Sequence, residues 1–493
     1  MYYLGYDIGS SSVKIALVNA ENNQKIAVIH EPESEMAIHA KQLGWAEQDP
    51  NTWWRHLSRG TQRIIAETKI NAKEIKAIGI SYQMHGLVVL DREKNVLRDA
   101  IIWCDSRAVG IGDKAAADLG EEKYGKHLLN SPGNFTASKL KWVRDNEPEI
   151  YAQIAYYMLP GDYIAFKLTG EINTTANGLS EGILWDYKEN KVANWLLEYY
   201  GIDPSLTPPI VENFTDQGRL HLQAAKECGL VANIPVRYRA GDQPNNALSL
   251  NILKPGEVAA TGGTSGVLFA ITDQLTSKEY SRINHFAHVN YTEKEAVLGK
   301  LLCVNGAGIQ YSWLKKITRE KTFNAMNELA QQAPIGAEGL TVLPFGNGAE
   351  RMLNNKNVGA QFHHLNLNLH QEGHLYRAAL EGIAFSFVYG MELMQQDQMD
   401  ISVIRAGNDN LFRSEIFSNT VATLIGHEIE IFNTTGAIGA ARAAGVEGKT
   451  LDHLSESINL QDRVNQISPQ KNREEYQRAY QQWKTILMNQ LNK

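Results

Sequence analysis

Cysteine is scarce and scattered. Cys104, Cys228 and Cys303 are the only three in 493 residues, which excludes a disulfide framework and a cysteine-rich zinc module and makes a reducing compartment the expectation. Long hydrophobic runs are missing as well. Nothing approaches the ~18 consecutive apolar residues of a membrane span, and the N-terminus enters an apolar strand with no basic region ahead of it. The expectation is a cytoplasmic chain with no membrane partner. Excess positive charge is also lacking: the net charge is -7, so no global field favours nucleic acid or an anionic surface. The one basic cluster, Lys315, Lys316, Arg319 and Lys321, reads as a solvated helix face. Neither an H-E-x-x-H zinc helix nor a G-x-S-x-G nucleophile elbow occurs.

Apolar residues at 43% and charged residues at 21% describe a globular chain rather than a disordered one. Its length exceeds what one core supports. Two turns of similar design organise it. The first, Asp7-Ile8-Gly9-Ser10-Ser11-Ser12, lies between apolar strands and is followed by Lys14; the second, Thr261-Gly262-Gly263-Thr264-Ser265, lies between strands near the middle of the chain. Convergent backbone N–H groups, hydroxyls and a carboxylate suit phosphate oxygens and a Mg²⁺ ion. Taken singly, either turn is also an ordinary Gly/Ser hairpin; the recurrence favours one phosphate-cradling device used once per domain. Strands alternating with helices at Thr52–Lys69 and His374–Met394 give an α/β class. The domain boundary is expected between about residues 247 and 257, which assigns 1–249 and 250–493 to two domains. Thr434 is expected to cap a small-residue helix from Gly436 to Ala444.

Between the two turns, Gly241-Asp242-Gln243 places a carboxylate where it can act as a general base on a hydroxyl, or merely close an Asx turn. Gln83-Met84-His85-Gly86 follows an apolar strand, so its side chains can project from a sheet end and hydrogen-bond a polyol over an apolar floor; a packed hairpin with a satisfied histidine fits these residue types equally. Trp103, Asp105 and Arg107 combine a stacking platform with charges, or else a core tryptophan with an ion pair. Ala406-Gly407-Asn408-Asp409-Asn410 suits a nucleotide base or ribose, or a plain strand-to-helix turn. The run Ala443–Thr450 nearly fits the phosphate loop G-x-x-x-x-G-K-[ST], but a helix rather than a strand is expected before it, with Gly445 as that helix's C-cap.

Together these segments resemble the FGGY carbohydrate kinases over nearly the whole chain. Asp7-Ile8-Gly9 and Gly262-Gly263-Thr264-Ser265 are similar to that family's two phosphate motifs, and Gly241-Asp242 to the position of its catalytic base. Gln83-Met84-His85-Gly86 is similar to the sugar motif of members that phosphorylate D-xylulose rather than of those that phosphorylate glycerol. Gly133–Leu140, Leu159–Tyr163 and Thr435–Ala441 also match. The chain departs from the pattern at 406–410, where several glycines are usual, and at Gln243, where Asn is usual.

The resemblance implies two ribonuclease-H-like, actin-like ATPase domains around a deep cleft. It implies Mg-ATP and D-xylulose as small-molecule substrates, no nucleic acid, and a possible homodimer. By residue it implies Asp242 as base and, with Asp7, as metal ligand. Gln83, Met84, His85, Trp103, Asp105, Arg107 and Gln243 fall to the sugar. Ser10, Ser11, Ser12, Lys14, Gly263, Thr264, Ser265, Gly308, Gly407, Asn408 and Asn410 fall to the nucleotide. A kinase for another ketose or polyol, or an actin-like ATP-driven binding module, is the alternative.

Overall fold

The computed structural model describes residues 1–446 and 450–493. Strands β1 (Tyr2–Ile8), β2 (Val13–Asn19), β3 (Lys25–Glu31), β4 (Ile75–Tyr82) and β5 (Val236–Gly241) form one sheet in the order β3-β2-β1-β4-β5. The first three are antiparallel, and β4 and β5 run parallel to β1. A second sheet contains β6 (Glu257–Gly262), β7 (Gly266–Thr272), β8 (Asn284–Ala287), β9 (Leu298–Val304), β10 (Val403–Gly407), β11 (Ile429–Phe432) and β12 (Arg463–Ile467). Its order is β8-β9-β7-β6-β10-β11-β12. Without its two edge strands this order is β9-β7-β6-β10-β11, the same plan as the first sheet. The recurrence read in the two turns is thus a recurrence of whole sheets.

Both faces of the first sheet are covered, which is why its strands are nearly continuous apolar runs rather than alternating ones. Helix Pro50–Thr68 buries Trp53, Trp54, Leu57 and Ile64 on one face, starting at the Asp49 cap whose carboxylate accepts from Asn51 N. The other face carries helix Gly436–Ala443, which enters from the second half of the chain. Its backbone lies directly on the strands: a Cβ at Gly5 would fall 2.1 Å from Ala437 O, and one at Gly79 would fall 2.0 Å from Ala440 O. Helix Asp242–Ser249 follows β5 and packs beside it, Asn245 Nδ2 donating to Gly436 O at 2.9 Å. Asn246 Nδ2 in turn reaches Thr261 Oγ1 at 3.0 Å, beside the second turn. Two helices, one from each half, therefore fill the junction between the sheets.

Several expectations shift. The cap of helix Gly436–Ala443 is Thr435, whose hydroxyl accepts from Ile438 N at 3.4 Å, one residue later than expected. That helix ends at Ala444 in a right-handed conformation, so Gly445 is not a left-handed cap; it leaves room for the Tyr3 ring, 2.2 Å from where a Cβ would sit. A helix does precede the near-phosphate loop, whose residues 447–449 lie outside the described residues. A hairpin across Gln83–Gly86 does not form: strand Val88–Leu90 pairs with Tyr156–Met158 rather than with β4. Helices Leu451–Asp462 and Arg473–Leu491 close the chain. Among the described residues no helix is long and apolar enough to cross a membrane.

Candidate active site

The first turn joins β1 to β2, where register sets Asp7 opposite Lys14. Lys14 Nζ lies 3.4 Å from Asp7 Oδ2, and Ser81 Oγ donates to Oδ1 at 3.0 Å. Gly9 N donates to Ser12 O at 3.0 Å, closing the turn. Ser10 is held from both sides, its carbonyl by Gln48 Nε2 at 2.7 Å and its hydroxyl by Trp103 Nε1 at 3.3 Å. Ser11 and Ser12 border a shallow depression with His30 and Arg63.

The second turn joins β6 to β7. Gly308 N donates to Gly263 O at 3.1 Å and Ile309 N to Thr264 O at 2.9 Å, pressing the start of helix Gly308–Thr318 onto the turn. Gly308 is required there, since a Cβ would lie 2.3 Å from Gly263 O. A cavity of about 390 Å³ opens beside it, lined by Gly263, Thr264, Gly308, Tyr311, Asn327 and Asn410 among others. Ser265 is exposed on the turn. Asn408 departs from expectation: its N–H is tied to Phe432 O at 2.8 Å, and it lines a separate depression with Asn465 and Gln466. Gly407 ends β10 and does not line the cavity either.

Asp242 is the first residue of its helix, at the end of β5. Burial pushes its carboxyl up to about 7, and the Asp7 charge adds to the rise. Gln243 hydrogen bonds and the Lys14 charge oppose the rise. At neutral pH this group is poised between accepting and releasing a proton, the condition for general-base work.

Gln83-Met84-His85-Gly86 leaves the end of β4 as a turn in which His85 takes φ +63°. Lys139, fully buried, donates to His85 O at 2.9 Å and to Ile102 O at 3.1 Å, and burial lowers its amine to about 7. His85 Nδ1 lies 2.8 Å from Glu181 O, an acceptor, which assigns the proton to Nδ1 and leaves Nε2 as a free acceptor. The ring rests on Phe135 at 4.8 Å and on Phe286 of the second half at 5.2 Å; burial lowers it to about 3, so it is neutral. Met84 is buried against Gly241, forming floor. Gln83 is buried, 3.5 Å from Gln48, with its Oε1 unpartnered. Trp103 remains 53% exposed.

Asp105 and Arg107 do not join this group. Asp105 accepts from Ala46 N at 2.6 Å and pairs with Arg107 at 2.7 Å; Arg107 also pairs with Glu47 at 2.8 Å and lies between the rings of Trp45 and Trp142, 3.8 and 4.7 Å away. Both side chains are essentially inaccessible. Their bonding capacity is consumed inside the wall, which corrects the expectation that they contact sugar.

Glu181 was not foreseen. It is 2% exposed, Oε2 accepts from His85 N at 3.3 Å, and the Tyr82 hydroxyl interacts with its carboxyl. Gly241 makes room for it, since a Cβ there would stand 3.0 Å from Oε2. Burial raises its carboxyl well above the usual range, with Asp242 contributing. The sequence signal was a carboxylate inside the small and apolar run Gly178–Trp185.

Two sheets of one plan, each closed by a turn of small hydroxyl-bearing residues, with a titratable aspartate at their junction, define an actin-like ATP-dependent phosphotransferase. The chain belongs to the FGGY family of carbohydrate kinases: residues 2–249 match the family's N-terminal domain and residues 258–448 its C-terminal domain. It is 29% identical to the xylulose kinase of Escherichia coli (strain K12) over 97% of this chain and 99% of that one. It is 28% identical to the xylulose kinase of Bacillus subtilis (strain 168), over 92% and 90% of the two chains. The solved xylulose kinase from Rhodospirillum rubrum superposes with a TM-score of 0.89 at 25% identity, covering 99% of each chain.

Proposed function

We propose that this carbohydrate kinase transfers the γ-phosphoryl group of ATP to the terminal hydroxyl of D-xylulose, with Asp242 as general base. The observation that carries the reading is Asp242 itself, held near neutral pKa where the helix after β5 meets the second turn. The division of labour follows residues 1–249 for sugar and 250–493 for nucleotide, with ATP supply placing the reaction in the cytoplasm. Full-length similarity to xylulose kinases supports the choice of sugar. The carboxylates of Asp7 and Asp242 favour an uncharged sugar over an acidic one.

In this reading His85 Nε2 accepts a hydrogen bond from a sugar hydroxyl and Gln83, Met84, Trp103 and Gln243 shape the pocket. Asp242 takes the proton of the attacking hydroxyl. The N–H groups and hydroxyls of Ser10, Thr264 and Ser265 hold phosphate oxygens, and the adenosine end lies against Tyr311, Asn327 and Asn410. Closing of the halves excludes water, so that phosphate passes to sugar.

A Mg²⁺ ion accompanying ATP fits these residues. The Asp7 charge adds to the cost of ionising buried Asp242, a repulsion a dication would relieve, and Mg²⁺ needs only one or two carboxylates beside phosphates and waters. Asp7 and Asp242 would hold it, directly or through water, and it would neutralise phosphate charge.

The test is ³¹P NMR identification of the product formed from Mg-ATP with D-xylulose, L-ribulose, D-ribulose, glycerol or gluconate. Preferential formation of a terminal phosphate ester of D-xylulose supports the proposal; preference for another sugar replaces the substrate, and phosphate release without any ester defeats the reading.

A further inference from the structure

Arg351, on the second half, has no role in the chemistry above. It opens the short turn Arg351–Leu353, and the preceding Glu350 pins that turn by accepting from Asn305 N at 2.9 Å and Gly306 N at 2.8 Å, just past the end of β9. Strand β9 sets Cys303 opposite Val267 and Val304 opposite Gly266, the residue that closes the second phosphate turn. Arg351 is thereby fixed on the second half beside the phosphate end. Its charge is felt by Cys303 and, across the cleft, by His85. The contact between the Phe286 and His85 rings shows independently that this part of the second half reaches the sugar motif.

The guanidinium is under-used. It makes one long donation, to Tyr280 O at 3.4 Å, and its Nε is buried with no partner. The buried arginines Arg107, Arg377 and Arg442 each pair with a carboxylate, Asp105, Glu381 and Asp462 respectively. No described carboxylate forms an ion pair with Arg351, and adjacent Glu350 is committed to backbone N–H groups. A half-buried guanidinium with its Nε out of water and no counter-charge is held at a cost, and its planar fork of donors matches phosphate oxygens.

We propose that the second half delivers Arg351 to the acceptor end of the closed cleft, where its guanidinium binds the oxygens of the phosphoryl group in transfer and of the sugar phosphate that results. This rests on the kinase reading. In the step, the bond from the γ-phosphorus to the β–γ bridging oxygen breaks and one to the sugar oxygen forms. The hydroxyl proton passes to Asp242, ADP leaves with the bridging oxygen, and Arg351 keeps its protons throughout.

The experiment compares wild type with Arg351→Gln, Arg351→Lys and Arg351→Ala, measuring kcat with D-xylulose, and affinities for D-xylulose and for D-xylulose 5-phosphate by calorimetry. For Arg351→Gln the expected result is a kcat lower by ~10² or more, a sugar phosphate bound at least about tenfold more weakly, and free sugar bound within about threefold of wild type. Arg351→Lys keeps the charge but not the fork and should fall between. Millimolar guanidinium should restore part of the Arg351→Ala rate, a response that lost folding would not give. Unchanged kcat and sugar-phosphate affinity would overturn the proposal, as would a loss confined to free-sugar affinity or an absence of rescue in folded Arg351→Ala. A wild type that transfers phosphate to no sugar would instead defeat the kinase reading.

Discussion

Asp7, next to last in β1, and Asp242, just past the end of β5, lie at one edge of the first sheet, and the charge of Asp7 helps to raise the Asp242 carboxyl to about 7. The sheet that separates these residues by more than two hundred positions in sequence makes them an electrostatic pair. With ionised Asp242 as the proposed proton acceptor, kcat/KM for sugar should rise with pH through a single ionisation near 7 and level off above it. Replacing Asp7 by Asn should move that ionisation downward. A pH-rate profile flat from 5 to 9 would contradict this.

The same shift has a consequence for stability. A carboxyl whose folded pKa lies above its unfolded value of 3.8 loses stability as pH rises from about 4 to about 7 and beyond that keeps the penalty. Asp242→Asn should therefore melt above wild type at pH 8, the gap closing as pH falls towards 4. Melting curves at both ends of that range check the sign.

Glu181 holds the His85 turn by its carboxylate and its carbonyl. Its carboxyl is pushed towards the protonated form, so Glu181→Gln should retain sugar kinetics within several-fold. Glu181→Ala should raise KM for sugar by ~10-fold or more through the lost, partly buried hydrogen bond. KM for ATP should stay put in both, and equal loss in both variants would remove the positioning role.

Asn410 lines the cavity beside the second turn proposed to take nucleotide, whereas Asn408 lines a separate depression. Asn410→Ala should raise KM for ATP by ~10-fold if one hydrogen bond is lost, while Asn408→Ala should leave it nearly unchanged. Initial rates at varied ATP decide the matter.

At Gly5 and Gly79 the helix backbone of Gly436–Ala443 leaves no room for a methyl group. Either Gly→Ala change should destabilise the chain by ~1–3 kcal/mol through overpacking, read as a lower midpoint in urea.

Much of the frame was legible because each phosphate turn lies between runs of strand-forming residues, and because Gly241-Asp242 carries a local signature. Other features depend on partners that only the fold supplies. The pair Asp105 and Arg107 read as ligand groups until Glu47, Trp45 and Trp142 enclosed them. Glu181 and Arg351 gain meaning from β5 and β9, strands distant in sequence. The Thr435 cap was missed by one residue because Thr434 offers the same hydroxyl. Helix Arg473–Leu491 buries only Tyr476, Tyr480, Trp483 and Leu487, a thin stripe in a polar segment that masked its helical period.

The most direct test of Asp242 as the base is ADP release from Mg-ATP with saturating D-xylulose, measured for wild type and Asp242→Asn under matched folding controls. The account predicts strong sugar-dependent release by wild type and a fall of ~10² to 10⁴ in the variant. A folded Asp242→Asn enzyme that keeps its sugar-dependent turnover within a few-fold of wild type would contradict it.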